Sequence, residues 1–438
     1  MSDDRPRVGL MFVHDFDRTA LDARPEACFD RAGFDLFRFP SQLGLATFRI
    51  DRFVRRQIRR GRDRGWRGVY SAQEQYGALA TALIAQGLGL PGTDPRAIVA
   101  AQHKAHARAV LAQVAPQATL AYQVLPVELG QPLSEDLIQT LAFPVYVKPI
   151  KAAFSVLARR IEHPQQLREH LRFSAWERYL IGRLVDPFEQ VRQQLLPEAG
   201  SAHRMLAETP IDPEVSQYNL DGFVQQGRVH AIGVVDALMY PGTQAFMRWD
   251  VPSRLAPPVQ ARALEIAARF LQAIGFTHGL FNLEFFHDSR TDRITVIECN
   301  PRMASQFSDL YRRVLGLDLH RLALRLALGE CGLDTPRDAP TAAVASSLVY
   351  RSFPGDAVPP APSRSRRAAL LNRFPQALLF SMPKDEAGRH RDYRWTGSHR
   401  YGVLHLGAHD WRSFEAQATE ASRLLGWPAA VATRPEPV

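Results

Sequence analysis

Cysteine and lysine are both scarce in this 438-residue chain, and each scarcity narrows what the protein can be. The three cysteines, Cys28, Cys299 and Cys331, neither pair in number nor fall at metal-ligand spacing. A disulfide framework is set aside, and a reducing cytoplasm is the expected location. No apolar run approaches the length needed to cross a bilayer, and the opening MSDDRPR is polar, so no membrane partner is expected. There is no G-x-G-x-x-G, which leaves a dinucleotide site unsupported, and no internal repeat. What remains is the composition of an ordinary globular protein, 46% apolar and 23% charged. The length predicts two to four packed units rather than one core.

Of the 54 basic residues, only Lys104, Lys148, Lys151 and Lys384 are lysines. The net charge of +9 invites a nucleic-acid reading. Its origin argues otherwise, because arginine is favoured along the whole chain rather than on one face, and no nucleic-acid partner is expected. Where a surface merely needs a cation this sequence uses arginine. Lysine therefore marks positions that need a compact point charge.

Residues 8–12 and 68–70 read as buried strands, with an apolar helix over 78–85 before GLGLPG. Residues 51–66 carry Arg52, Arg55, Arg56, Arg59, Arg60, Arg62 and Arg64 above a stripe of Phe53, Val54 and Ile58. A solvated helix face accounts for this pattern, and a docking site for an acidic partner is the alternative. Residues 213–251 and 279–300 look strand-rich, with an amphipathic helix over 259–274 between them. A proline-rich stretch (Pro354, Pro359, Pro360, Pro362) interrupts a last module that begins near Pro340.

The strongest chemistry lies in GLFNLEFFHDSRTDRITVIECNPR, residues 279–302. Two apolar runs flank a polar five-residue connection, 289–293, suited to a hairpin loop. Pairing around Thr291 sets Glu284 across from Glu298, with Asn282 and Asn300 on the same face. Facing carboxylates roughly 5 Å apart repel one another, and a cation between them removes the conflict. Two carboxylates and an amide carbonyl are hard oxygen ligands, which is magnesium chemistry. Arg302 follows, placed to stabilise a transferring phosphoryl group. Two solvent-facing glutamates on an exposed hairpin are the plainer alternative.

V-I-E-C-N-P-R preceded by G-L-F-N-L-E-F resembles the magnesium hairpin of the ATP-grasp superfamily, in its biotin-carboxylase-like and carboxylate–amine ligase branches. The resemblance implies that Glu284, Glu298 and Asn300 bind one or two magnesium ions bridging the phosphates of ATP, with manganese as a substitute. It implies Arg302 at the acyl phosphate and leaves the role of Asn282 open. FPVYVKPIKAAFSV, residues 143–156, resembles the family's strand ending in a phosphate-contacting lysine, here Lys148. The lid that follows is glycine-free over 150–154, although Ser155 matches the family's serine, and Lys151 stands where backbone amides would serve. Lys104 falls at the family's other phosphate lysine. MLAETPIDPE resembles the hinge, so that Glu208, Thr209, Pro210 and Ile211 line the adenine and Glu214 accepts from the ribose. Arg248 and Arg254 follow where the family closes on its carboxylate substrate.

The resemblance implies an α/β and α+β multidomain fold. Its parts are a pre-ATP-grasp α/β domain at 1–95, a first ATP-grasp lobe with a phosphate-binding lid at 96–200, a second lobe with the adenine hinge and magnesium hairpin at 201–335, and a small α+β module like that of biotin carboxylase at 340–438. The function it implies is ligation of a small carboxylic acid to an amine, amino acids among the candidates, with release of ADP and phosphate; a homodimer is an option. Biotin carboxylation is the alternative, disfavoured by the glycine-free lid and the lack of a Met-Lys-Met carrier motif. A non-catalytic nucleotide-binding protein is a third reading, disfavoured by the full set of lysines and metal ligands.

Overall fold

The computed structural model describes residues 5–21, 26–35, 41–128, 131, 133–152 and 156–430. Near the N-terminus, β1 (Arg7–Met11), β2 (Cys28–Ala32) and β3 (Trp66–Tyr70) form a parallel sheet in the order β2-β1-β3. The apolar β1 and β3 are legible in the sequence, whereas β2 is masked by Asp30 and Arg31. The structure satisfies Asp30, which accepts from Trp66 Nε1 at 2.6 Å and from Arg64 at 2.7 Å. Arg64 ends the arginine-rich helix Ile50–Arg64, which buries Ile50, Phe53, Val54 and Gln57 and stops at Gly65 with φ of 65°. Only glycine adopts that conformation without cost. Most of the helix's arginines face solvent, and two of them, Arg60 and Arg64, turn back onto Asp30.

The next sheet contains β4 (Tyr122–Glu128), β5 (Val145–Pro149), β6 (Arg159–Ile161) and β7 (Arg204–Glu208) in the order β4-β7-β5-β6. Before it the chain breaks at His103 into the helices Pro95–Gln102 and Lys104–Val114, so Lys104 sits in a first helical turn. His103 caps that turn by accepting from His106 N at 3.1 Å.

The largest sheet has eight strands: β8 (Ser216–Gln225), β9 (Arg228–Met239), β10 (Phe246–Val251), β11 (Gly279–Asp288), β12 (Arg293–Asn300), β13 (Val344–Ser352), β14 (Leu378–Ser381) and β15 (His399–Ala408). Their order is β12-β11-β8-β9-β10-β13-β15-β14. The strands after Pro340 thus extend the sheet of the preceding segment, through antiparallel pairing of β10 with β13. Two helices cover opposite faces. Pro257–Ala273 packs Val259, Ala263 and Phe270 against Leu283 and Phe285, while Ser305–Leu315 packs Phe307, Leu310 and Tyr311 against Val235 and Trp249. Alternation along β8 and β11 therefore turns successive side chains toward opposite helices.

Candidate active site

The carboxylate pair arises from strand register. In the β11–β12 hairpin Glu284 stands across from Glu298 and Asn282 across from Asn300. The connection runs over residues 289–292, one residue shorter than the sequence suggests, because Arg293 already belongs to β12. A loop shorter by one residue would by itself slip the register by one and set Glu284 across from Ile297. It does not, because Ile297 is an extra, bulged residue between the pairs Phe285–Val296 and Glu284–Glu298. The bulge is held from outside: Arg108 donates to the carbonyls of Val296 and Ile297, the latter at 3.1 Å.

The pair projects from the face covered by helix Ser305–Leu315, above a buried polar floor. Asn282 accepts from Asn219 Nδ2 at 3.1 Å and donates to Asp221 Oδ1 at 2.9 Å. Tyr311 donates to the other oxygen of Asp221 at 2.8 Å. Both ends of the Asn282 amide are therefore engaged, which makes it a support rather than a group aimed at substrate. Asn300 and Gln217 donate to Glu284, at 3.1 and 3.2 Å. Lys104 lies 3.2 Å from Glu298 and donates to the carbonyl of Ala152 at 2.8 Å.

Burial and the facing Glu298 push Glu284 up to about 8. Burial also acts to raise Glu298, but Lys104 and Lys148 overcome it and hold that carboxyl below its ordinary value. The facing carboxyls are thus pushed in opposite directions, Glu284 up and Glu298 down. A divalent cation would favour the ionised form of both, and the donors around it are hard oxygens. The residues present therefore fit magnesium.

A second cluster lies on the four-stranded sheet. Lys148 pairs with Leu206 and Tyr146 with Glu208, so Lys148 and Glu208 share one face. Their side chains meet at 2.8 Å, and Arg108 Nε reaches the other oxygen of Glu208 at 2.5 Å. Burial alone would raise Glu208, yet Lys148 and Arg108 hold it down to about 2. Burial lowers Lys148 in turn. Glu208 is thus a buried counter-ion and does not line a pocket by its side chain. Past it, Thr209 is exposed and Pro210 and Ile211 are half-buried, with Thr209 N donating to Ala121 O at 3.1 Å. Glu214 is open to solvent, its nearest cation Arg290 at 3.7 Å.

Two sequence expectations are displaced. Lys151 is buried, 3.9 Å from Glu74 and over the ring of Phe188 at 5.0 Å, rather than standing on an exposed lid. Burial lowers it to about 8. Ser155 lies outside the described residues. Arg248 departs furthest. It faces the opposite side of the eight-stranded sheet from Glu284, fully buried, 3.2 Å from Asp250 and over the rings of Phe414 and Trp411. It cannot reach a ligand held at the hairpin. Arg254 is beside it, over Trp411 at 5.6 Å. Strand parity decides this, since Arg248 shares the face of Asp236 and Leu238 while Val235 shares that of Phe307.

Two members of the site escaped the sequence. Glu74 lies 3.2 Å from Arg302 and near Lys151, and accepts from Gln102 Nε2 at 2.6 Å. Arg108 ties Glu208 to the hairpin. Neither stands in a recognisable motif. Arginine at 108 on an otherwise apolar helix face was the one available signal, and its commonness in this chain hid it. Together Glu74, Lys104, Lys148, Lys151, Glu208, the hairpin and Arg302 bring four cations and several carboxylates to one place, an arrangement suited to a polyanion with a metal ion.

Residues 250–334 match the family model described as carbamoyl-phosphate synthase L chain, ATP binding domain. The chain is 25% identical over 357 residues to an uncharacterised protein of Sinorhizobium fredii, covering 79% of this chain and 66% of that one. It is 35% identical over 109 residues to carnosine synthase 1 of Gallus gallus, 25% of this chain and 12% of that one. The chain therefore spans just under two thirds of the first relative and a small part of the second. An L-amino acid ligase from Bacillus licheniformis superposes with a TM-score of 0.64 at 15% identity, over 96% of this chain and 97% of that one. Residues 250–334 are thus similar to an ATP-binding domain, and the fold of the chain as a whole is similar to that of the Bacillus licheniformis L-amino acid ligase.

Proposed function

We propose that the protein is an ATP- and magnesium-dependent carboxylate–amine ligase that forms an amide or peptide bond through an acyl phosphate and releases ADP and phosphate. One observation carries this reading: Glu284 and Glu298 face each other, beside Lys104 and near Arg302. Such a pair has its use where a metal ion meets a phosphate chain. Glu284, Glu298 and Asn300 would hold magnesium, which would supply charge neutralisation to a phosphate chain.

The chain's own residues then divide the work. Lys104 and Lys148 bring point charges to the phosphates, with Glu208 and Arg108 fixing Lys148 in place. Arg302, oriented by Glu74, meets the negative charge that develops as a carboxylate attacks the γ-phosphoryl group. The amine then displaces phosphate from the acyl group. Lys151, buried beside Glu74, adds positive field to the same side. Positioning and electrostatics supply the rate, and no covalent enzyme intermediate is required.

The name of the Bacillus relative makes amino acids the first acids and amines to try. With the right acid, ATP is expected to give ADP and phosphate, and hydroxylamine to trap a hydroxamate without any amine. Label from the acid's carboxylate oxygen is expected in the released phosphate. AMP and pyrophosphate, or unlabelled phosphate, would overturn the mechanism. Among the described residues no helix is long and apolar enough to cross a membrane. A cytoplasmic location and a homodimer belong to the same proposal, and gel filtration at two concentrations tests the latter.

A further inference from the structure

Three of the four lysines belong to the cluster described above. The fourth, Lys384, lines a cavity of about 450 Å³ elsewhere, between β14, β15, the helix Glu386–Thr396 and the proline-rich segment. None of the cavity's lining residues belongs to the carboxylate hairpin or the lysine cluster, and β14 and β12 are opposite edges of the eight-stranded sheet. The volume lies within the range of small-molecule sites.

The cavity's polar groups are fixed in advance. Lys384 donates to both oxygens of Asp392, at 2.8 and 3.0 Å, which cancels its charge. Asp392 also accepts from Nδ1 of the buried His399 at 2.8 Å. That contact sets the ring's orientation and leaves its Nε2 without a partner among the described residues. Arg389 is different. It donates to the carbonyl of Lys384 at 3.0 Å and pairs with no carboxylate among the described residues. The apolar wall is aromatic: Tyr401 and Trp427 meet edge to face at 5.3 Å, and Trp427 Nε1 is anchored on Pro360 O at 3.3 Å.

We propose that this cavity is a second small-molecule site, for a monocarboxylate with an aromatic or otherwise flat apolar body. A single uncompensated guanidinium matches one planar carboxylate, which it can hold with two parallel hydrogen bonds. A phosphate dianion fits less well, since Asp356 and Glu386 stand in the same lining and repel a second charge. Tyr401 and Trp427 take the flat body, and His399 Nε2 offers one further polar contact.

Phenylacetate titrated into the full-length protein, followed by Trp fluorescence and calorimetry, tests the assignment. The expected result is saturable binding that weakens by roughly tenfold or more in Arg389→Gln and less in Arg389→Lys, as a charged hydrogen-bonding partner predicts. Binding is expected to persist in Arg302→Gln, which separates this cavity from any acid-binding site at the hairpin. Phenylacetamide is expected to bind far more weakly, and phenyl phosphate no better than phenylacetate. Absence of saturable binding, indifference to Arg389→Gln, or dependence on Arg302 would overturn the second site. Phenylacetamide binding equal to phenylacetate, or tighter phenyl phosphate binding, would overturn the monocarboxylate assignment.

Discussion

At the residue scale, the distribution of lysine carries more information than its number. Lys148 is wedged between Glu208 and, across it, Arg108. Replacing it with arginine would bring two guanidinium groups to one carboxylate and remove a point charge from the phosphate side. Lys148→Arg is expected to weaken ATP binding by about tenfold or more, and unchanged affinity by calorimetry would return Lys148 to a purely structural role. The same cluster predicts a pH signature. Glu208 lies near 2 in the fold against an ordinary 4.5, so the unfolded chain binds its proton more readily. Its stabilisation is present above pH 4.5 and is lost as pH falls toward 2. The melting-temperature gap between wild type and Glu208→Gln should therefore be widest above pH 4.5 and narrow below it. A gap constant across that window would mean that Glu208 is not held as an ion.

At the scale of elements, the hairpin works because another element corrects it. Arg108, on the helix Lys104–Val114, holds the two carbonyls around the Ile297 bulge while pairing with Glu208. One side chain thus joins the four-stranded sheet to the carboxylate hairpin. Arg108→Lys would keep a charge near Glu208 but lose the fork that spans both carbonyls. Breaking a buried pair of this kind costs about 3–5 kcal/mol when a partner is removed, so Arg108→Lys should cost part of that and Arg108→Gln nearly all. Urea unfolding of both variants checks the order. Arg108→Gln no less stable than Arg108→Lys would remove the ion pair from the explanation. The helix Ile50–Arg64 shows the opposite case, an element whose charges mostly meet solvent while two of them close the edge of a sheet.

At the scale of the whole molecule, continuity of the large sheet decides what can be removed. Strands β13, β15 and β14 extend beyond β10, and helix Ser305–Leu315 packs on β13 as well as on β10. Ending the chain at residue 339 would leave β10 as a bare edge and uncover the apolar face of Trp249 and Val251. That truncation is expected to be insoluble or to self-associate, measured by soluble yield and light scattering. A well-behaved, cooperatively melting 1–339 fragment would show that the last module is an independent unit. The module also reaches back to the segment between β5 and β7: Trp395 O accepts from Leu157 N at 2.9 Å, and Arg394 pairs with Glu177 at 2.5 Å.

The sequence by itself determined the hairpin and its facing carboxylates, because period-two alternation and a short loop are local properties of one segment. It also singled out Lys104 and Lys148 as candidates, since a rare residue in an arginine-rich chain stands out without any structure. Tertiary structure alone decided the rest. Arg248 looks like a substrate clamp until strand parity puts it on the far face, and parity depends on which strands pair across the whole sheet. Glu74 and Arg108 enter the site from segments distant in sequence, where only packing brings them within reach of Arg302 and Glu208. The bulge at Ile297 belongs to both accounts. The sequence places Glu284 opposite Glu298, and a long-range contact from Arg108 keeps them there, because register is local while the anchoring of a strand is not.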